Sequence, residues 1–234
     1  MKFAYLLVVL FTLSSCVNDN TNVREKKSPV VSEGSSTDSA INTDNSPKTE
    51  QNVLQDSPEY IAKNDGELSD HDYETAYEMS VRALTDYYKA VWNGSDIDLD
   101  TFIDNEYLKQ YTKKKIQYQY DTHVENNLTD KVQNIEVGAW EVEYTDDVDG
   151  GFLYLKLPVQ INMTVGSYGE VTEFLVRNVN GKLVITDWYT GTKDSYDFLV
   201  RGENLTIDNP NIWNDSEWVK KLNSKQIQFS GSTR

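Results

Sequence analysis

The stretch VTEFLVRNVNGKLVITDWY, residues 171–189, decides the fold, because two apolar runs flank the dipeptide Asn180-Gly181. Asn-Gly between such runs is typical of a two-residue β-hairpin turn, in which both turn residues adopt positive φ. The stretch therefore predicts two antiparallel strands joined by a tight turn.

The turn also predicts which residues face each other. Counting outward from it pairs Val176 with Ile185 and Phe174 with Asp187. Because opposed residues of an antiparallel pair share a face, Asp187 is expected beside three apolar side chains on the buried face of the hairpin.

Two more strands are predicted upstream. Residues 132–144 alternate, but their phase slips by one around Gly138-Ala139, which is typical of a β-bulge. After a turn at residues 147–151 comes the strongest alternation in the chain, whose apolar positions are Leu153, Leu155, Leu157, Val159, Ile161, Met163 and Val165. The sequence thus predicts a four-stranded antiparallel sheet.

Helical spacing precedes and follows this sheet. Residues 73–92 carry apolar side chains at intervals of three and four, as an amphipathic helix does. Two shorter helical runs follow with a break near Thr112, and Lys113-Lys114-Lys115 is interpreted as a solvated face. A short C-terminal helix is predicted around residues 213–222. Helices followed by an antiparallel sheet define the α+β class.

The N-terminus has a different character. Lys2 precedes the apolar run 3–13, and Leu13-Ser14-Ser15-Cys16 places the only cysteine of the chain directly after small residues. This pattern resembles a bacterial lipoprotein signal with a lipobox, and the resemblance implies a signal peptide at residues 1–15 and a diacylglycerol on Cys16. The alternative is an ordinary signal peptide with an incidental cysteine.

The remaining chain is expected to form a tether and one domain. Residues 16–69 are polar and without periodicity, which favours a disordered acidic linker, and residues 70–234 are expected to form a single domain. The net charge of −16 disfavours nucleic acid and anionic lipid as partners of the folded part. Membrane attachment is expected through the diacylglycerol on Cys16.

The order of elements, together with Asn-Gly-Lys-Leu-Val-Ile-Thr-Asp-Trp ending at Trp188, resembles the NTF2-like (cystatin-like) superfamily. The resemblance covers about residues 70 to 200. It implies N-terminal helices packed on a curved four-stranded sheet that leaves a cone-shaped pocket. That family includes enzymes, small-ligand binders and domains that bind proteins, so it does not choose a function.

Metal and nucleophile motifs are weak. The run Asp96–Asp100 starts like an EF-hand loop, but Thr101 and Tyr107 occupy the positions that need Gly and Glu. His71 and His123 have no second histidine at ligand spacing, and no phosphate-binding loop is present. We therefore expect neither a metal site nor a cofactor.

One residue is a candidate for chemistry. NTF2-like isomerases and dehydratases use an inward carboxylate as general base, and Asp187 would be such a carboxylate if the hairpin register holds. The alternative is that Asp187 has no catalytic role and lies at the end of a strand, where its carboxylate reaches water or a backbone amide. The candidates for lining the pocket are Tyr77, Tyr88, Tyr154 and Phe174.

These observations favour a non-catalytic, lipid-anchored lipoprotein whose domain binds a protein or envelope partner. The alternative is a small-ligand carrier, or an isomerase- or dehydratase-like pocket enzyme, that uses Asp187. The expected location is the extracytoplasmic face of the cell membrane. If the organism has an outer membrane, that membrane is expected instead, because uncharged Val17 follows Cys16 and the resemblance associates retention in the inner membrane with Asp at this position.

Overall fold

The computed structural model describes residues 59–64, 68–69, 72–128, 130–138, 141–203 and 205–231, with side chains up to residue 225. The predicted signal peptide, Cys16, His71 and most of the predicted linker lie outside the described residues. No helix within the described ranges has the length and apolarity needed to cross a membrane.

The fold is α+β, as predicted. Two long helices come first, then five antiparallel strands, then two further helices. The helices are α1 (Tyr73–Asn93), α2 (Glu106–Glu125), α3 (Tyr196–Arg201) and α4 (Ser216–Gly231), and the strands are β1 (Val132–Val137), β2 (Glu141–Thr145), β3 (Phe152–Met163), β4 (Ser167–Val179) and β5 (Lys182–Thr190). Two 3-10 turns, Leu99–Thr101 and Ile212–Asn214, precede α2 and α4.

The sheet has five strands rather than the predicted four. Residues 132–144 do not form one bulged strand, because β1 and β2 are separate and both pair with β3. The interruption lies opposite Pro158, whose carbonyl accepts a hydrogen bond from the Gly138 N–H at 2.8 Å. Because proline has no N–H of its own to donate, pairing with β3 is weakened at this point.

The helical region also differs from the prediction. The predicted break near Thr112 is absent, because α2 is one continuous helix through this position. The Thr112 side chain is buried on the inner side of α2. Its N-terminus is fixed by Asn105, whose side chain accepts hydrogen bonds from the N–H groups of Tyr107 and Leu108. Residues 196–201, for which the sequence pattern predicted no helix, form α3.

The hairpin register is confirmed near the turn and wrong beyond it. Val176 pairs with Ile185 as predicted, but Phe174 pairs with Trp188, and Asp187 pairs with Leu175. The strand β5 contains one extra residue, Thr186, between these two sets of pairs. This is a β-bulge, and it moves every later side chain of β5 to the opposite face.

The main core lies between α1 and one face of the sheet. It is built from one side of α1 and from the alternating apolar positions of β3, and the sequence predicted the alternation of β3. The members of this core include Met79, Ala83, Leu84, Leu155, Leu157 and Phe174. A smaller cluster on the other face contains Phe152, Leu175, Tyr189 and Ile207.

Residues that the sequence analysis assigned to the linker are part of this packing. The chain at residues 60–62 runs along the free edge of β5, where the Leu183 N–H donates to the Tyr60 carbonyl at 2.7 Å. Leu68 is buried in the main core, and the carboxylate of Asp72 accepts hydrogen bonds from the N–H groups of Lys63 and Ser69. The packed domain therefore includes residues before position 70.

We expect Leu68→Ala to lower the free energy of unfolding by about 2–4 kcal/mol, since it removes a buried side chain and leaves a cavity. Urea denaturation measures this change. Ile61→Ala is the control, because Ile61 is 56% exposed, and it should change the stability by less than about 0.5 kcal/mol. Equal small effects from both variants would contradict the packing of this segment.

Candidate functional site

Asp187 is buried, but it does not lie beside Phe174 as predicted. Its two carboxylate oxygens accept hydrogen bonds from both terminal nitrogens of Arg201, at 2.9 and 2.7 Å. The indole N–H of Trp213 and the backbone N–H of Trp188 donate to Oδ1 at 2.9 and 2.8 Å. Protein donors therefore surround the carboxylate.

The guanidinium of Arg201 also packs against aromatic rings. It lies 5.4 to 5.6 Å from the ring centres of Tyr189, Trp213 and Trp218. Burial would lower the pKa of Arg201, but the Asp187 carboxylate outweighs that effect and raises it. The pair connects the end of α3 to β5 and to the segment before α4.

A second buried ion pair holds the start of the same helix. Asp197 accepts hydrogen bonds from the Lys115 ammonium, from the Tyr111 hydroxyl at 2.6 Å and from the Thr190 N–H at 2.8 Å. The Lys115 nitrogen also lies over the rings of Tyr87 and Trp188, 5.1 and 5.4 Å from their centres. Both members of the ion pair are almost completely buried.

The prediction that Lys115 lies on a solvated face is wrong. Lys113 and Lys114 are exposed, but Lys115 is 1% exposed. The signal was present in the sequence, because Leu108, Tyr111 and Lys115 follow each other at spacings of three and four and so share the buried stripe of α2.

A third polar contact lies between α1 and β4. The Tyr88 hydroxyl donates to the carboxylate of Glu170, and the neighbouring Tyr87 hydroxyl donates to Gln119 of α2. Burial raises the pKa of Glu170 above its ordinary value, although the Tyr88 hydroxyl and the charge of Lys115 oppose the shift. Sequence reasoning missed Glu170, since alternation in β4 gives no sign that one carboxylate points inward.

The four predicted pocket-lining residues do not surround a common space. Tyr88 and Phe174 point into the region between α1 and the sheet, whereas Tyr154 lies on the other face, beside Leu175. Burial and the nearby Glu173 carboxylate raise the pKa of Tyr154. Tyr77 is half-buried and packs against the main core.

Aromatic side chains occupy the region between α1 and the sheet. The ring centres of Tyr87 and Tyr88 are 5.2 Å apart, those of Tyr87 and Trp188 are 5.2 Å apart, and those of Phe174 and Trp188 are 5.0 Å apart. All four residues are almost completely buried. Distances in this range are those of packed aromatic pairs.

The more open clefts lie elsewhere. The largest of three such clefts has a volume of about 510 Å³ and lies on the outer face of the sheet. Pro158, Gly169 and Val171 form part of its wall. Others lie beside Arg177 and Asn211, with about 280 Å³, and beside Gly94 and Tyr120, with about 330 Å³. None of these three is lined by Asp187 or by the predicted pocket residues.

His123 makes contacts that account for it without a metal. Its ring stacks on Trp92 with the centres 3.6 Å apart, and its Nδ1 lies 3.2 Å from the Val91 carbonyl. Burial lowers its pKa, and the Val91 carbonyl opposes this. Within the described part of the chain, no group of three or more His, Cys, Asp or Glu side chains could hold a metal ion.

Comparison of the chain with family models, with curated proteins and with solved structures gave no match.

We expect Arg201→Met to lower the free energy of unfolding by about 3–5 kcal/mol, because it leaves the Asp187 carboxylate buried without its charged partner. Urea denaturation measures the loss. Glu217→Gln is the control, since it breaks the exposed Lys220–Glu217 pair and should cost at most about 1 kcal/mol. A small and equal loss in both variants would refute a structural role for the buried pair.

Proposed function

We propose that this chain is a non-catalytic, lipid-anchored lipoprotein at the extracytoplasmic face of the membrane, and that its NTF2-like domain binds a protein partner of the cell envelope. The observation that carries the proposal is the aromatic filling between α1 and the sheet. The rings of Tyr87, Tyr88, Phe174 and Trp188 occupy the region where an NTF2-like enzyme or carrier would hold its ligand.

The contacts of Asp187 also favour binding over catalysis. A general base must reach the proton that it removes from a substrate. Here both carboxylate oxygens are engaged by Arg201, Trp213 and a backbone N–H, and the side chain is 2% exposed. A substrate would have to displace these donors, so we do not assign Asp187 a catalytic role.

The outer-face cleft is the surface that we assign to the partner. Val171 is 39% exposed beside Pro158, so the cleft offers apolar contact area. Glu136 and Glu170 line it. The neighbouring cross-strand row holds Glu141 and Glu173 on either side of Lys156, which lies 3.7 Å from the Glu141 carboxylate, so carboxylates outnumber the cation around the cleft. This combination fits a protein segment with an aliphatic side chain between cationic ones.

The anchor assignment depends on Cys16. In cells fed an alkyne-tagged fatty acid, we expect the wild-type chain to become labelled. We expect Cys16→Ala to abolish the label, because the sulfur of Cys16 is the atom that would carry the diacylglycerol. Fluorescence after coupling to a reporter azide measures the label. Ser15→Ala is the control and should keep it. A Cys16→Ala chain that still carries label would disprove the assignment.

The partner surface is tested by photo-crosslinking in intact cells. A photoreactive amino acid at position 171 should give a discrete adduct of reproducible mass, because the partner would lie directly against the cleft. The control is the same substitution at Val124, an exposed valine of α2. The proposal fails if position 171 gives no adduct, or gives only the adducts that position 124 gives.

A further inference from the structure

Glu170 is a carboxylate on the core face of β4. It pairs with Val159 of β3, so the two side chains stand side by side on the same face of the sheet. Val159 and its two neighbours on that face of β3, Leu157 and Ile161, are buried apolar residues. Glu170 itself is partly buried. The carboxylate therefore stands against apolar packing, which is unfavourable for its charged form.

The groups that contact this carboxylate are mostly neutral. It accepts hydrogen bonds from the Tyr88 hydroxyl of α1 and from the Thr192 hydroxyl, which follows β5. The positive charge that acts on it belongs to Lys115 of α2, but Asp197 of α3 already pairs with that lysine. Two carboxylates thus share one lysine, and the group carries excess negative charge unless Glu170 holds a proton.

Two further tyrosines face Glu170. These are Tyr87 of α1 and Tyr168 of β4, and burial together with the charge of Glu170 raises the pKa of both hydroxyls. Both therefore stay neutral and add no charge to the group. Burial also raises the pKa of Glu170, because it outweighs the opposing effects of Tyr88 and Lys115.

The end of β4 that carries Glu170 has a neighbouring strand on one side only. The strand β3 pairs with β4 from Ser167 onward, whereas β5 pairs with β4 only from Thr172 onward. Contacts on one side hold residues 167–171 less firmly than the rest of the strand. Gly169, Glu170 and Val171 also line the outer-face cleft, so a shift of this end would move the wall of the cleft.

We propose that Glu170 is a proton-operated contact between α1 and this end of β4. With the proton bound, the side chain is neutral and stays between Tyr88 and the apolar residues of β3. Without it, the charged carboxylate draws water, and residues 167–171 separate from α1 in a larger fraction of molecules. This inference goes beyond the proposed partner binding and does not rest on it.

The direction of the pH dependence follows from linkage. The folded domain binds this proton more tightly than the unfolded chain, in which a glutamate has a pKa of about 4.3. The contribution of Glu170 to stability is therefore fully present below that value, and it is lost as the pH rises through the pKa of Glu170 in the folded domain. The variant Glu170→Gln cannot ionise, so it lacks this loss.

The test is urea denaturation of the full chain between pH 4.5 and pH 8. The gain in urea midpoint of Glu170→Gln over the wild type should be at least about 0.3 M larger at pH 8 than at pH 4.5, because a tenfold change in proton affinity corresponds to about 0.5 M urea or more. Other groups titrate equally in both chains and cancel. The matched control is Glu143→Gln, an exposed glutamate of β2, whose difference from the wild type should not change with pH.

A second variant tests the contact with α1. Tyr88→Phe removes a hydrogen bond that favours the charged form of Glu170. It should therefore lose more stability at pH 8 than at pH 4.5. An equal loss at both pH values would contradict the contact that we assign to Tyr88.

Hydrogen exchange of the same chains locates the opening. After correction for the intrinsic pH dependence of exchange, the amides of residues 167–171 should exchange at least about threefold faster at pH 8 than at pH 4.5 in the wild type, and equally at both in Glu170→Gln. The proposal is overturned if the midpoint difference between these two chains is the same at every pH. It is also overturned if exchange at residues 167–171 responds to pH equally in both, because another group would then be responsible.

Discussion

The structure depends on two buried ion pairs that hold one short helix. The helix α3 has only six residues, too few to be stable without tertiary contacts. Asp197 and Arg201 lie one turn apart on it, and each meets an opposite charge from a different element, Lys115 of α2 and Asp187 of β5. Through these contacts α2, β5 and the segment before α4 all meet at α3.

The charges belong there because the surroundings supply the hydrogen bonds that buried ions need. Asp187 accepts four hydrogen bonds, and Asp197 accepts from a hydroxyl and a backbone N–H besides its lysine. Buried pairs of this kind add little to stability compared with apolar packing, but removing one partner is costly. We interpret them as setting a unique arrangement of α3 on the domain.

The sequence predicted those parts of the fold that follow a regular period. The α+β class, the helix α1, the alternation of β3 and the hairpin near Asn180-Gly181 needed only local pattern. The bulge at Thr186 has no such signature, and one extra residue there placed Asp187 on the other face. The candidate site was predicted only in part for this reason. Asp187 was a candidate for a buried carboxylate, with a strand-end residue as the alternative, and it was expected on the face of Phe174 rather than beside Leu175. Its partner Arg201 comes from a helix that local periodicity did not reveal.

The region between α1 and the sheet is filled by the protein's own side chains, and the function that we propose depends on this filling. A crystal structure of the chain purified from its native host tests this most directly. We predict Tyr87, Tyr88 and Trp188 in mutual contact, with Asp187 bound to Arg201 and no foreign density among the rings. Density for a trapped small molecule there, with Tyr88 or Trp188 displaced, would contradict the account and favour a carrier or an enzyme.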